Sequence, residues 1–90
     1  MDILNVRAAV LHACGRYADA VGQYRTVLDL ADARGDRYAH VSAMAGLAAA
    51  YRDAGTADEA RDWAGRALAA AETSGYRLLA DRARAVLTVG

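Results

Sequence analysis

The chain has 90 residues, 56% of them hydrophobic and 24% charged, with eleven acidic residues balancing eleven basic ones. That is the composition of one soluble globular domain and not of a disordered chain, and without a net field or a massed basic patch it excludes nucleic acid and anionic membrane as partners of this segment. Every basic residue is Arg, so a Walker-type phosphate loop, a Schiff-base lysine and a lysine-dependent serine nucleophile are excluded as well.

Gly15, Gly35, Gly55 and Gly75 divide the chain into five predicted helices of roughly 13 to 18 residues, because a glycine after a helix adopts the left-handed stop at little cost. In the first helix Ile3, Val6 and Val10 form one apolar strip and Leu4, Ala8 and Leu11 another, with only Arg7 between them on one side. The end of a soluble helical array is not expected to be apolar on two sides. Either further repeats precede Met1 or a second copy of the chain packs here, and the candidate self-association residues are Ile3, Leu4, Val6, Val10 and Leu11. A weak homodimer is the expected result.

His12, Cys14 and His40 are the soft metal-ligand candidates. Two ligands on one helix face need a spacing of three or four, so His12 and Cys14 point apart, and no metal or cofactor is expected. Cys14 reads as a small residue closing the helix before Gly15, and a lone cysteine cannot form an internal disulfide. No charged stretch leads into an apolar core and cleavage site at the N-terminus, so a cytoplasmic location is the default.

In the second helix Tyr17, Ala20, Val21, Tyr24, Val27, Leu28 and Ala31 alternate at spacings of three and four, an apolar stripe that must pack on something. Asp36 is a plausible cap for the third helix, in which His40, Met44, Leu47 and Tyr51 share a face while Ser42, Ala49 and Asp53 lie on the other side. The near-apolar run Val41–Tyr51 is far short of the about 20 residues that span a bilayer, so no transmembrane segment is expected. Thr56 with Glu59 reads as a capping box for the fourth helix, and Asp58 adds negative charge to the same turn. That helix repeats the second in smaller residues, with Ala60, Trp63, Ala64, Ala67, Leu68 and Ala71. In the last helix Arg77, Asp81, Arg84 and Thr88 lie opposite Leu79, Ala83, Val86 and Leu87. They read as a solvated capping face at a true C-terminal end rather than as an anion-binding patch.

Shifting the sequence by forty places superimposes Gly15 on Gly55, Ala20 on Ala60, Leu28 on Leu68, Gly35 on Gly75, Arg37 on Arg77 and Leu47 on Leu87. The chain is therefore read as a single repeat domain over 1–90, with repeat one at 1–35, repeat two at 36–75 and a capping helix at 76–90. No serine, histidine and acid have a catalytic motif around them, and Asp58 and Glu59 are explained by the helix start they occupy. No enzyme activity is expected of the chain alone.

The stretch from Leu47 through Tyr51, Gly55, Asp58, Glu59 and Ala60 to Ala67 and Leu68 resembles the tetratricopeptide-repeat (TPR) pattern of Leu, Tyr, a turn glycine, Asp-Glu-Ala and a closing Ala-Leu. The first copy keeps Leu11, Gly15, Tyr17, Ala20, Tyr24 and Leu28, with Arg7 where the pattern prefers an apolar residue. The period of forty instead of 34, and Asp32 and Glu72 in place of the closing proline, imply longer helices than usual. Longer Ala- and Arg-rich repeats with Gly35-Asp36-Arg37 between helices look like the C-terminal repeats of bacterial transcriptional regulators of the antibiotic-regulatory-protein and ATPase-linked types. The resemblance implies an all-α, right-handed α-solenoid of antiparallel helix pairs, about two and a half repeats in five helices, that acts as a protein-interaction scaffold. The alternative is a homodimerisation module with no separate partner. The family's concave surface, which would bind a protein or peptide, carries over onto Asn5, Ala9, His12, Ser42, Ala45, Ala49, Arg52, Asp53 and Arg82, with Asp2 and Ala85 at its ends. Its floor would be alanine. The carboxylate clamp of chaperone-binding members needs Lys and Asn in the groove, and Ala9, Gly46 and the absence of Lys argue against that partner.

Overall fold

The helices form where the glycine stops and the apolar stripes place them. The computed structural model describes residues 3–88, and five helices lie among them: α1 (Ile3–Ala13), α2 (Tyr17–Arg34), α3 (Arg37–Asp53), α4 (Ala57–Ser74) and α5 (Arg77–Thr88). Asp2 falls outside the described residues. The forty-residue step recurs in the backbone, since α2 and α4 start at 17 and 57 and end at 34 and 74. Gly15, Gly35, Gly55 and Gly75 all have positive φ. At Gly55, φ is +89°; its amide donates to the Arg52 carbonyl at 3.1 Å and the Thr56 amide to the Tyr51 carbonyl at 3.0 Å. This pair of bonds closes a Schellman turn, in which a Cβ would be penalised.

The two predicted caps differ. Asp36 caps α3, with its Oδ1 accepting from the Ala39 amide at 3.1 Å. Thr56 does not form the predicted capping box: its hydroxyl turns back and donates to the Tyr51 carbonyl at 2.9 Å, and no side chain caps α4. Among the orphan carbonyls that end α3, a nearby one captures the hydroxyl before the amides of α4 can. Asp58 and Glu59 still lie in the first turn of α4, where negative charge meets the positive end of the helix dipole.

The core is built around α3, which packs against all four other helices. Its predicted two-faced pattern gives way to burial nearly all round, including Val41, Ala43, Met44, Ala45, Leu47, Ala48 and Ala50. Small residues make that possible by letting neighbouring helix backbones approach closely. Opposite α3, α2 buries Ala20, Tyr24, Val27, Leu28 and Ala31 and α4 buries Ala60, Ala64, Ala67 and Ala71, with Trp63 and Leu68 partly covered on the same core. On α5 the inward side is Leu79, Ala80, Ala83 and Val86. Leu87, predicted to join them, stands one 100° step beyond Val86 and is 38% exposed. Leu78, at 76%, is more exposed still.

One contact explains a glycine in the middle of a helix. A Cβ on Gly46 would lie 2.8 Å from the Tyr24 hydroxyl oxygen and closer still to the ring, so the tip of the tyrosine packs directly on the α3 backbone. Alanine at a helix-interior glycine is ordinarily worth about 1 kcal/mol, but overpacking costs about 1–3 kcal/mol. Gly46→Ala should therefore lower the melting temperature, whereas Gly65→Ala, where a Cβ meets nothing within 4 Å, should raise it. A rise in both would show that the Tyr24 ring steps aside.

Candidate functional site

Helices α1, α3 and α5 run side by side, α3 touching both of the others, and their shared face opens into a groove. A cavity of about 560 Å³ there is lined by Asn5, Val6 and Ala9 of α1, Tyr24 of α2, Asp36 before α3, Tyr38, Ala39 and Ser42 of α3, and Arg82 of α5. Asn5 Nδ2 donates to Ser42 Oγ at 3.3 Å, tying one wall to the floor. Four of the residues expected on a concave face, Asn5, Ala9, Ser42 and Arg82, thus meet in one cavity.

The other expected residues lie elsewhere. His12, Arg52 and Asp53 cluster where α1 and α3 end: His12 Nε2 is 2.6 Å from Asp53 Oδ2, and Arg52 Nε donates to Asp53 Oδ1 at 2.9 Å. The Arg52 hydrogen bond, then that of His12, hold the Asp53 carboxyl below its usual range. These three groups satisfy one another and do not line the cavity. Ala45 is 2% exposed and belongs to the core, because α3 is surrounded and a residue drawn onto its open side is covered. Ala49 is half-buried and packs on the cluster of Ala48, Ala60, Ala64 and Val86. Ala85 is exposed but does not line the cavity.

Sequence reasoning missed Val6, Tyr24, Asp36, Tyr38 and Ala39 as groove residues. Tyr24 reads as a core residue from its stripe, and its ring is indeed 2% exposed, yet it reaches between helices to the cavity. Gly46 is the signal that could have located it. Burial pushes the Tyr24 phenol up, opposed in part by the positive charge of Arg82, so at neutral pH it is a protonated hydroxyl. No hydrogen bond engages it among the described residues. Nor does any described carboxylate pair with Arg82, whereas Arg16, Arg52, Arg66 and Arg84 each have an acidic partner. The groove therefore holds an uncommitted cation, an uncommitted hydroxyl and apolar walls. Asp36 also faces it, with one oxygen bound to the start of α3.

A second cavity of about 560 Å³ lies between α4 and α5, lined among others by Glu72, Tyr76, Arg77, Asp81 and Arg84. Here Arg84 reaches both Glu72 and Asp81 at 3.1 Å, so these three charges satisfy one another. Among the described residues no three His, Cys, Asp or Glu side chains come together as a metal site would need, and no helix is long and apolar enough to cross a membrane.

The paired helices, the turn glycines and the shared face of α1, α3 and α5 agree with a match of the tetratricopeptide-repeat family model to residues 1–73. The chain belongs to the tetratricopeptide-repeat family. No curated protein matches it, and no solved structure does. TPR repeats generally mediate protein–protein interaction, and they are repeat scaffolds without catalytic machinery of their own.

Proposed function

We propose that this TPR chain is a non-catalytic scaffold that binds a segment of a partner protein in the groove between α1 and α5. The observation that carries this reading is the open cavity over α3, in which Arg82 and the Tyr24 hydroxyl have no partner among the described residues. A hydrogen bond to a charged group is stronger than one between neutral groups, so an incoming acceptor gains by meeting this arginine. The Gly35-Asp36-Arg37 turn and the long Ala- and Arg-rich repeats support a place in a larger bacterial transcriptional regulator working in the cytoplasm. The test is selection from a random peptide library, with Ala9→Trp as the blocked form, since Ala9 is exposed and lines the cavity. Selected peptides should lose at least about tenfold in affinity for that variant, on the scale of one lost anchor contact. Peptides that bind both forms equally would sink the groove as the binding site.

A second reading is favoured by a specific observation on α1. Leu4 and Leu11 pack on the chain's own core and Ala8 is buried, whereas Ile3, Val6 and Val10 are 74%, 43% and 55% exposed. Of the five residues expected to drive self-association, the exposed three could do so and the two leucines are already used. On this reading a second copy covers the outer strip of α1.

A further inference from the structure

We propose that the occupant of the groove is an acidic amphipathic helix, whose apolar side lies across Val6, Tyr38 and Leu78 and whose carboxylates meet Arg82 and Arg77. This rests on the partner-binding reading and gives the partner a chemistry. Val6 and Tyr38 line the main cavity, and Tyr38 also lines, with Tyr76, Arg77 and Leu78, a shallower depression beside it. The two hollows are neighbours that share Tyr38, which is edge-on to Tyr76 with ring centroids 5.1 Å apart. Val6, Tyr38 and Leu78 are 43%, 54% and 76% exposed, one on each of three adjacent helices. Neighbouring helices are about 8–10 Å apart, so this apolar path is roughly 16–20 Å long. A helix covers that distance in about twelve residues, bringing three apolar side chains from one face onto it.

Charge selects the sign of the partner. Leu78 and Arg82 are four residues apart on α5 and so share a face, which sets a cation beside the exposed leucine. Neither Arg77 nor Arg82 has a carboxylate partner among the described residues. Among the described residues that line the two hollows the acidic one is Asp36, partly engaged by the Ala39 amide, while Asp81, one turn beyond Arg77, is already bound to Arg84. A basic segment would leave both arginines unpaired and add repulsion; an acidic one pairs them, with the Tyr24 hydroxyl available as a further donor.

The probes are three synthetic peptides of about twelve residues, long enough to cross the surface as a helix: one with Leu on one face and Glu on the other, its Leu/Lys counterpart, and the Leu/Glu peptide with a central proline. Binding to the full chain is read by fluorescence anisotropy at two salt concentrations. The Leu/Glu peptide should bind at least about tenfold more tightly than the other two and should weaken with salt, as partly exposed ion pairs do. Arg82→Glu, at an exposed position and checked for its native melting curve, should reverse the preference between Glu and Lys peptides. Equal affinity for the Glu and Lys peptides, or an unchanged preference in Arg82→Glu, overturns the proposal. So does undiminished binding of the proline peptide, which would make the occupant extended. Library peptides that are sensitive to Ala9→Trp but show no acidic bias would overturn it too, while leaving the groove itself as the binding site.

Discussion

Replacing Leu47 by alanine should remove about 2–5 kcal/mol of stability, the range for a buried leucine whose cavity cannot fully collapse. Leu47 is 0% exposed and is among the largest fully buried side chains, with Val27 and Val41. It lies on α3, the helix that every other helix touches, so no single neighbour can move in to fill the space. A domain of this length has about 5–13 kcal/mol in total, and the substitution would consume a large part of it. Leu87 is the control. It occupies the same place forty residues later, yet it is 38% exposed, so Leu87→Ala should cost less than about 1 kcal/mol. Urea titration of the two variants beside the parent, with the slope checked for constancy, reads the difference from the midpoints. Equal losses would mean that α5 is packed as α3 is and that the last helix has no open side.

The elements were legible wherever their cause is local. A glycine that must take positive φ marks a stop whatever surrounds it, and Gly15, Gly35, Gly55 and Gly75 all take it. The same holds for the α2 stripe and for Asp36, whose acceptor is three residues from its donor. What was not legible depends on other helices. Periodicity on α3 suggests one inner face, but a helix surrounded by four others has no outer face of the usual kind, and Ala45 is therefore core instead of groove floor. Thr56 has two acceptable uses in hydrogen-bonding terms, and only the end of α3 decides between them. The groove was half legible. Asn5, Ala9, Ser42 and Arg82 followed from the family's pattern, whereas Tyr24 enters the cavity from the second layer of helices, and its one trace on the facing helices is Gly46.

The outer strip of α1 leads to the other large expected effect, a change in the association state of the chain. At the forty-residue step Ile3, Val6 and Val10 correspond to Ala43, Gly46 and Ala50 of α3, a buried face on which Gly46 receives the Tyr24 ring of α2. On α1 the same face holds three branched side chains and is open. A helix built like α2 could not seat its tyrosine on Val6, because a Cβ alone already meets that ring at the equivalent place on α3. A second α1, presenting the same branched side chains in a two-fold arrangement, fits better. The contact is small. An eleven-residue helix is about 16 Å long and about 10 Å wide, so the pair would bury a few hundred Å² and gain several kcal/mol at about 25 cal/mol per Å². Association itself costs about 4–15 kcal/mol, so the dimer should be weak and should form with rising concentration. Sedimentation equilibrium over a wide concentration range is the measurement, on the parent, on Ile3→Asp with Val10→Asp, and on Arg77→Ala with Arg84→Ala. The parent and the arginine variant should gain mass with concentration while the aspartate variant stays monomeric, since each aspartate would otherwise be desolvated against an apolar surface. Constant monomer mass in all three would mean that Ile3, Val6 and Val10 remain in water, and association in the aspartate variant would move the interface away from α1.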